Sequence, residues 1–287
     1  MDLDAASLVI QDTLLSEELS ISDRDFEFLR KMIHKTTGIT IDESKRVLLQ
    51  GRLATRIKEL NIDNIKGYLT LLRYQPKSEL EHLANVITTN TTSFLRHDYQ
   101  FGFLANYLKQ KSRIIRKYGI NMWSAGCSTG QEPYSIAWVA TKFLPPDAVT
   151  NISIFASDID STAIQKAISG IYSTNMLTGL PENFIQDGFL RGKGQYEGLV
   201  KIKPHVQALV KFQRLNLVAN WSISTHYEII FCRNVCIYFD KDTQRILFNR
   251  FAELQRPGDY LFTGRSEHMP DGCSSYKLVG KSTYQRI

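Results

Sequence analysis

The apolar residues in the first part of the chain recur at helical spacing. A first helix is expected to begin at Ser22, because Ser22 and Asp25 resemble a capping box in which Asp replaces the usual Glu. Its apolar stripe contains Phe26, Leu29, Met32 and Ile33. Gly38 follows this stripe and is expected to end the helix, since glycine tolerates a left-handed backbone.

The next segment predicts three more helices. One is expected from about Asp42 to Leu60, and its apolar stripe contains Leu49, Leu53, Ile57 and Leu60. Two shorter helical patterns cover residues 65–74 and 78–88. We therefore expect a small all-helical domain over residues 21–86, preceded by a flexible acidic tail over residues 1–20.

After Gly119 short strand patterns alternate with helical ones. The strand segments are INMWSAG, ISIFASD, ALVKFQRLN, YEIIFCRN and DYLFTG. Helical stretches separate most of them, over residues 132–143, 161–169 and 242–254. This alternation favours an α/β fold with a mostly parallel, doubly wound sheet. Residues 171–208 interrupt it and are too long for a plain connection, which predicts an inserted subdomain.

Composition narrows the class of protein. The 287 residues are 43% hydrophobic and 22% charged, which is ordinary for a globular protein. No apolar run approaches the ~18 residues of a membrane span, and the acidic N-terminus lacks the basic region of a signal peptide. The four cysteines are widely spaced and form no metal-binding pair, so we expect buried thiols, no metal and a cytoplasmic location.

Positive charge is concentrated in the later part of the chain. Residues 1–84 contain 12 Lys/Arg and 14 Asp/Glu, whereas the remainder contains 23 and 15. A basic balance can indicate a nucleic-acid or acidic-protein partner, but many enzymes are mildly basic.

The strongest local motif is WSAGCSTGQEPY, at residues 123–134, which follows the first predicted strand and opens a helix. Gly126 and Gly130 permit tight turns and close approach of the backbone to a ligand. Pro133 suits the first turn of a helix. Such a turn places a ligand at the carboxyl edge of the sheet.

The second predicted strand ends at Asp158, whose carboxylate can accept hydrogen bonds from both hydroxyls of a ribose. A glycine turn followed by such an acid is typical of nucleoside sites in both nicotinamide and S-adenosylmethionine enzymes. The absence of G-x-G-x-x-G disfavours a nicotinamide oxidoreductase. Glu132 has two open interpretations: a carboxylate favoured by the helix dipole, or a counter-charge for a cationic ligand.

Taken together, these segments resemble the CheR family of chemotaxis receptor methyltransferases. The matching phrases are ITTNTTSFLR, WSAGCSTGQEPYS, FASDID, IFCRNVCIYFD and RPGDYLFTGRSE. The resemblance implies a Rossmann-like class I methyltransferase domain over residues 106–287, preceded by the small all-α domain. It also implies a linker at 87–105 that contributes to the cofactor site, and a small antiparallel β-subdomain inserted at about 186–212.

The resemblance further implies which residues form the site. Those expected to contact S-adenosylmethionine are Asn90, Thr92, Arg96, Glu132, Asp158, Asn216, Leu217, Arg233 and Asn234. Arg96 and Tyr238 are expected to line the methyl-transfer site. Without the resemblance, Tyr238 would be interpreted as a half-buried core aromatic. Gln131 and Leu95 stand where the family commonly has Glu and Phe, whereas Glu132 is retained.

The implied reaction transfers a methyl group from S-adenosylmethionine to glutamate side chains of a chemoreceptor for sensory adaptation, leaving S-adenosylhomocysteine. A glutamate carboxylate has a reference pKa of about 4.3 and is already ionised at neutral pH, so no general base is required. Because charge is lost in the transition state, a dry and aligned site should supply much of the acceleration.

Two surfaces are candidates for contact with the receptor's cytoplasmic helical domain. The second helix carries Lys45, Arg46, Arg52 and Arg56, which resemble a docking face but would otherwise be interpreted as a solvated one. The inserted segment contains Arg191, Gly192, Gly194 and Gly198. These glycines suit a hairpin turn. They also resemble a motif that tethers a short peptide from the receptor's C-terminus.

Two other functions are compatible with parts of the sequence. A nucleic-acid methyltransferase is disfavoured, because residues 232–235 read CRNV where amino-group methylases carry an Asn/Asp-Pro-Pro-aromatic loop. No cysteine follows a proline, as the cytosine-C5 nucleophile would. A non-catalytic adaptor that binds S-adenosylmethionine stays open, because a sequence does not show turnover.

Overall fold

The computed structural model describes residues 20–74 and 76–287. The chain divides into two compact units, Met1–Thr89 and Asn90–Ile287, called here the helical unit and the sheet unit. The expected flexible tail lies outside the described residues, apart from Ser20.

The described part of the helical unit is built from helices and one short 3₁₀ turn. The 3₁₀ turn is Glu43–Lys45, and the helices are α1 Asp23–Thr37, α2 Arg46–Glu59, α3 Ile65–Arg73 and α4 Lys77–Ile87. Ser22 caps α1 by accepting a hydrogen bond from the Asp25 N–H at 3.3 Å, and Gly38 ends it at φ 75°. Both predicted boundaries of the first helix are therefore confirmed.

The core of the helical unit forms where the apolar stripes of its helices meet. It contains Phe26, Leu29, Leu53, Tyr68 and Leu72, each almost completely buried. The stripe predicted for α2 contributes Leu49, Leu53 and Ile57, so the opposite side of that helix is left to solvent.

The sheet unit opens with a long helix and continues as alternating strands and helices. The helices are α5 Asp98–Tyr118, α6 Gln131–Phe143, α7 Pro146–Val149, α8 Ser161–Ser169, α9 Glu182–Gly188, α10 Pro204–Gln207 and α11 Lys241–Glu253. The strands are β1 Ile120–Ala125, β2 Ile152–Asp158, β3 Ile171–Ser173, β4 Phe189–Arg191, β5 Leu199–Ile202, β6 Val210–Arg214, β7 Ile229–Cys232, β8 Tyr260–Thr263, β9 Tyr276–Gly280 and β10 Thr283–Arg286.

Seven of these strands form one sheet in the order β6-β2-β1-β7-β8-β10-β9. Strands β6, β2, β1, β7 and β8 are parallel, whereas β10 runs antiparallel to both of its neighbours. The order reverses direction at β1, so the connections on its two sides leave a crevice at the carboxyl ends of the strands. The predicted α/β class with a mostly parallel sheet is confirmed.

Helices cover both faces of this sheet. Phe101 of α5 stacks on Phe231 of β7, with ring centroids 6.0 Å apart. Trp123 of β1 points to the opposite face, because it pairs with Ile230 rather than with Phe231, and it packs edge-on against Phe251 of α11 at 5.3 Å. The two layers hold the sheet rigid beneath the crevice.

A second sheet, in the order β3-β5-β4, is antiparallel and lies within residues 171–202. It lies within residues 171–208, the interruption expected from the pattern, and begins earlier than the range of about 186–212 that the resemblance implied. Val210–Arg214, inside that range, pairs instead with β2 in the large sheet. The expected linker at 87–105 contains the start of α5 at Asp98.

No helix within the described residues is long and apolar enough to span a membrane.

Candidate functional site

The carboxyl ends of β1, β2, β6 and β7 bring the predicted site residues to one edge of the large sheet. The chain leaves β1 into the turn at Gly126, and β2 ends on Asp158. Asn216 follows β6, and Arg233 follows β7 directly. Because these strands are adjacent and parallel, residues far apart in sequence become neighbours.

The turn after β1 requires its glycines. Gly126 and Gly130 have φ values of 90° and 96°, in the left-handed region. A Cβ on Gly126 would lie 2.2 Å from Cγ2 of Val235, and one on Gly130 would lie 2.8 Å from Cβ of Ala167. The glycines therefore let the turn pack closely against the loop after β7 and against α8.

Asp158 is held by the backbone of the glycine turn and of its own loop. Its Oδ2 accepts a hydrogen bond from the Ser128 N–H at 2.7 Å, and its Oδ1 accepts one from the Asp160 N–H at 2.9 Å. Burial raises the pKa of Asp158, although these N–H donors act in the opposite direction. The bonds from Ser128 and Asp160 occupy one lone pair on each carboxylate oxygen, so accepting capacity is left for ribose hydroxyls.

Asn90 lies beside the same loops. Its Nδ2 donates to Oδ2 of Asp160 at 2.6 Å, and its Oδ1 accepts from the Ser128 hydroxyl at 3.1 Å. Asp160 in turn caps α8 by accepting from the N–H groups of Thr162 and Ala163. Asn90 therefore ties the start of the sheet unit to the glycine turn, close to Asp158.

A buried ion pair lies between β1, α6 and β7. Glu132 Oε2 is 3.1 Å from Nη1 of Arg233, and Glu132 Oε1 accepts a hydrogen bond from the Ser124 hydroxyl at 2.7 Å. Burial raises the pKa of Glu132, while the charge of Arg233 and the Ser124 hydroxyl oppose the shift. Burial lowers the pKa of Arg233, and Glu132 opposes that shift. Each group is thus the main compensation for the other's burial.

The segment before α5 adopts a strained path that presents Arg96. Leu95 and His97 have φ values of 51° and 61°, which non-glycine residues rarely adopt. Phe94 anchors this segment by packing edge-on against Tyr172 and Phe189, each at a centroid distance of 5.1 Å. Strain of this kind persists only where the surroundings over-determine it, and it is typical of functional sites.

Arg96 contacts the site through both its side chain and its backbone. Its Nη1 donates to the Thr91 carbonyl at 2.9 Å, and its own carbonyl accepts a hydrogen bond from Nη2 of Arg233. Thr92, which precedes Arg96 in the same segment, is half-buried. Arg96 and the Glu132–Arg233 pair therefore form one connected group.

The loops after β6 and β7 carry the remaining predicted residues. Leu217 is 6% exposed, and its carbonyl accepts from Nε1 of Trp221 at 3.0 Å and from Nη1 of Arg250 at 3.1 Å. Asn234 has a φ of 59°, and Tyr238 is half-buried in the 3₁₀ turn Cys236–Tyr238.

Sequence reasoning missed three polar side chains that support this group. They are Ser124, Asp160 and Glu267. All three lie inside the phrases that carry the family resemblance. No spacing rule identifies them, because each acts on atoms brought together only by the fold.

Three of the four cationic residues predicted to dock a receptor have partners within the helical unit. Arg46 is paired with Asp23 and Glu43, and Arg52 donates to the carbonyls of Val86 and Thr88. Arg56 makes two bonds to Glu79, at 2.8 and 3.1 Å, and Glu79 also accepts from the Tyr68 hydroxyl. Lys45 is exposed.

The arrangement around Glu79 explains why a buried carboxylate is tolerated there. Glu79 is 4% exposed. Its burial acts to raise the pKa, but the hydrogen bonds from Arg56 and Tyr68 outweigh that effect and hold the pKa below its ordinary value. Arg56 therefore has a structural role in the helical unit.

The glycine-rich segment forms a hairpin between β4 and β5. Gly192 extends the ladder by donating to the Leu199 carbonyl at 2.9 Å, while Gly194 and Gly198 have φ values of 58° and 82°. A Cβ on Gly192 would lie 2.0 Å from the Tyr196 carbonyl oxygen. Arg191 ends β4, an edge strand of the small sheet.

The chemistry of the crevice fits S-adenosylmethionine. Asp158 suits the ribose, and the carboxylate of Glu132 suits a cationic amino or sulfonium group. Among the described residues, none hydrogen-bonds the buried Nε of Arg233, which leaves a donor for a ligand or water. When bound, S-adenosylmethionine would supply an electrophilic methyl group.

Comparison with known proteins agrees with this fit. Residues 90–285 match the family model described as CheR methyltransferase, SAM binding domain, and residues 24–88 match CheR methyltransferase, all-alpha domain. The chain is 37% identical to the chemotaxis protein methyltransferase of Klebsiella aerogenes, covering 94% of this chain and 92% of that one. It is 36% identical to the chemotaxis protein methyltransferase of Escherichia coli K12, covering 97% and 95%. The chain therefore belongs to the CheR methyltransferase family and is an S-adenosylmethionine-dependent methyltransferase.

Proposed function

We propose that this protein methylates glutamate side chains in the cytoplasmic helical domain of chemoreceptors, giving glutamate methyl esters for sensory adaptation. The observation that supports this best is the guanidinium group of Arg96, which bonds only a backbone carbonyl among the contacts described above, while Glu132 pairs with Arg233 beside it at the sheet edge. An anionic acceptor is attracted to such a group. The related enterobacterial proteins are named chemotaxis protein methyltransferases.

The side chains have distinct roles in this proposal. Arg96 uses one N–H to bond the Thr91 carbonyl, and an arginine has five such donors, so most remain for an acceptor carboxylate. Tyr238 orients that carboxylate from the loop after β7. The acceptor is ionised at neutral pH, so these residues need only align it and exclude water. Arg96 must bind it loosely enough not to over-stabilise the ground state.

The proposal is tested by incubating the purified protein with methyl-labelled S-adenosylmethionine and membranes that carry candidate chemoreceptors. Label on the receptor that mild alkali releases would identify a carboxyl methyl ester. Alkali-stable label would indicate nitrogen or carbon methylation and overturn the glutamate assignment. Asp158→Asn serves as the control, because it should abolish labelling through loss of cofactor binding.

We further propose that the receptor helix packs on the exposed side of α2. At about 100° per residue, this face carries Val47, Leu48, Gly51, Thr55 and Lys58. Val47 and Leu48 are 80% and 46% exposed and are neighbours, so they give this face a small apolar patch. A Cβ on Gly51 would meet no atom within 4 Å, so packing within the helical unit does not require glycine there. Lys45 and Lys58 would attract the acidic methylation sites.

A short C-terminal receptor peptide is proposed to add a strand beside β4. The Gly188 carbonyl accepts a hydrogen bond from the Lys203 N–H, and the Gly192 N–H donates to the Leu199 carbonyl. The backbone of both glycines therefore bonds toward β5. Alternation along an antiparallel pair then directs the Arg191 N–H away from β5. An unpaired edge of this kind is where β-augmentation occurs.

A further inference from the structure

The loop that follows β7 is held in place by a single buried carboxylate. This loop, residues 233–239 and called here the β7 loop, contains Asn234 and Tyr238. Glu267 is only 3% exposed and lies on the chain that leaves β8. It is distant from the β7 loop in sequence, yet three of its four hydrogen bonds join the two.

Glu267 accepts hydrogen bonds from four backbone N–H groups. Its Oε2 accepts from Asn234 at 2.8 Å and from Gly264, and its Oε1 accepts from Val235 at 2.9 Å and from Ile237 at 3.2 Å. A carboxylate offers about four lone-pair sites, so these bonds use its whole accepting capacity. Glu267 thus replaces the pairing partners that a regular helix or strand would give the loop.

The carbonyl groups of the same loop are held from the other side. Nε2 of Gln244, in α11, donates to the Cys236 carbonyl at 2.8 Å and to the Phe239 carbonyl at 2.9 Å. Three N–H groups of the loop are therefore bonded by a carboxylate, and two of its carbonyl groups are bonded by an amide. This arrangement maintains Asn234 at a φ of 59°, a conformation the loop would leave if the N–H groups lost their partner.

The approach of β8 to the β7 loop leaves no space for a side chain. A Cβ on Gly264 would lie 2.5 Å from Oε2 of Glu267 and 2.8 Å from the Asn234 nitrogen. Gly264 and Glu267 therefore act together. Gly264 lets the chain after β8 approach the β7 loop, and Glu267 bonds the N–H groups of that loop.

We infer that Glu267 is a positioning residue for methyl transfer, setting the β7 loop so that Tyr238 faces the acceptor and Asn234 faces the cofactor. This inference rests on the proposed roles of Tyr238 and Asn234. Glu267 does not touch the reacting atoms, since its accepting capacity is used by backbone N–H groups. Its effect on the chemical step is exerted through Tyr238.

The test replaces Glu267 with Gln, which keeps the shape but turns two acceptor sites into an N–H₂ group facing N–H donors. Methyl transfer is measured in single turnover at saturating S-adenosylmethionine, together with the cofactor Kd. The rate at saturation should fall roughly 10- to 100-fold, because small misplacements of a reacting group have effects of that size. The cofactor Kd should weaken by a smaller factor.

Glu228→Gln is the matched control. Glu228 also accepts a backbone N–H, that of Asn121 at 2.9 Å, but it does so at the opposite end of the sheet. Its replacement should leave the saturated rate unchanged. If Glu267→Gln does not fold, Gly264→Ala displaces the same contact without removing the charge, and the same loss of rate is expected.

A double variant separates positioning from general destabilisation. When Tyr238→Phe is already present, adding Glu267→Gln should lower the saturated rate much less than it does alone. An equal loss in both backgrounds, or an unchanged rate in Glu267→Gln, overturns the inference while the proposed function stands. An unchanged rate in Tyr238→Phe alone overturns the inference and the role proposed for Tyr238, whereas glutamate methylation itself stands or falls with the alkali-labile label.

Discussion

His97 shows how a single residue at the site links backbone strain to electrostatics. Its φ is 61°, and none of the described residues hydrogen-bonds its buried Nδ1. Burial lowers the pKa of His97 to about 4, and the charges of Arg233, Arg96 and Arg265 act in the same direction while Asp98 opposes them. His97 is therefore neutral in the folded protein at physiological pH.

This shift predicts an acid-sensitive fold. Between the ordinary pKa of about 6.5 and the folded value of about 4, the unfolded chain binds a proton at His97 that the folded chain does not. The free energy of unfolding is therefore unaffected by His97 above the unfolded pKa, and it decreases as the pH falls below that value. His97→Asn, which tolerates the same backbone, should lose less stability than the wild type between pH 7 and pH 5, as measured by urea unfolding.

His205→Asn is the control for that experiment. His205 is exposed on α10, so its replacement should leave the difference between pH 7 and pH 5 as in the wild type. If His97→Asn lost as much stability between pH 7 and pH 5 as the wild type does, the acid sensitivity would not come from His97.

The sequence predicts those residues of the candidate site that belong to one continuous strand, turn and helix. The glycine turn and the acid that ends β2 follow from the order of strand, turn and helix, and the structure places both at one sheet edge. Glu267 could not be predicted, because three of its four partners are backbone N–H groups of a loop some thirty residues earlier. The Glu132–Arg233 pair likewise joins residues that only the sheet brings together.

At the scale of elements, prediction succeeded where burial imposes a pattern. Strands β1, β2 and β7 are apolar runs in the middle of the sheet, and their expected positions are confirmed. Strands β9 and β10 were not predicted. In β9 the residues after Tyr276 are all exposed, so this edge strand has no alternation between apolar and polar positions.

The edge strand β4 carries a prediction about the proposed peptide. Arg191→Pro removes the N–H that faces away from β5, and proline is tolerated on an edge for that reason. The change should abolish binding of a short C-terminal receptor peptide while leaving cofactor affinity unchanged, both measured by calorimetry. Arg191→Ala keeps the N–H and is the control, so equal loss in both variants would indicate a side-chain contact instead of an added strand.

Helix α2 carries a second prediction, based on its open position at Gly51. Gly51→Ala should stabilise the exposed helix by up to about 1 kcal/mol and leave close approach of a partner helix possible. Gly51→Leu should also fold, because no atom lies within 4 Å of that Cβ, but its side chain should block the partner. We expect a raised KM for receptor with Gly51→Leu only. Equal KM values in the two variants would place the docking surface elsewhere.

At the scale of the whole molecule, the two units have separate cores, and the proposed function gives them separate tasks. The apolar cluster of the helical unit contains Leu53 and Tyr68, and that of the sheet unit contains Phe101 and Phe231. Each predicted cofactor contact, from Asn90 to Asn234, belongs to the sheet unit. Cofactor binding is therefore expected to be a property of the sheet unit. The exposed side of α2 is expected to affect receptor recognition.

Hydrogen exchange provides a test of this division of tasks. S-adenosylhomocysteine at about 100 times its Kd should stabilise the unit that binds it by about 2.7 kcal/mol. Protection should rise in the strand ends around Gly126, Asp158 and Arg233, and it should stay constant in α1 to α4. Asp158→Asn should remove the effect, because it weakens the ribose contact.

Glu79→Gln supplies the reciprocal control for the same experiment. It leaves Arg56 with a weaker partner and Tyr68 with a neutral one, so exchange should accelerate in α2, α3 and α4. The affinity for S-adenosylhomocysteine should not change, because Glu79 lies in the helical unit. Protection of α2 by S-adenosylhomocysteine, or a weakened Kd in Glu79→Gln, would show that the units are coupled and that cofactor binding and receptor docking depend on each other.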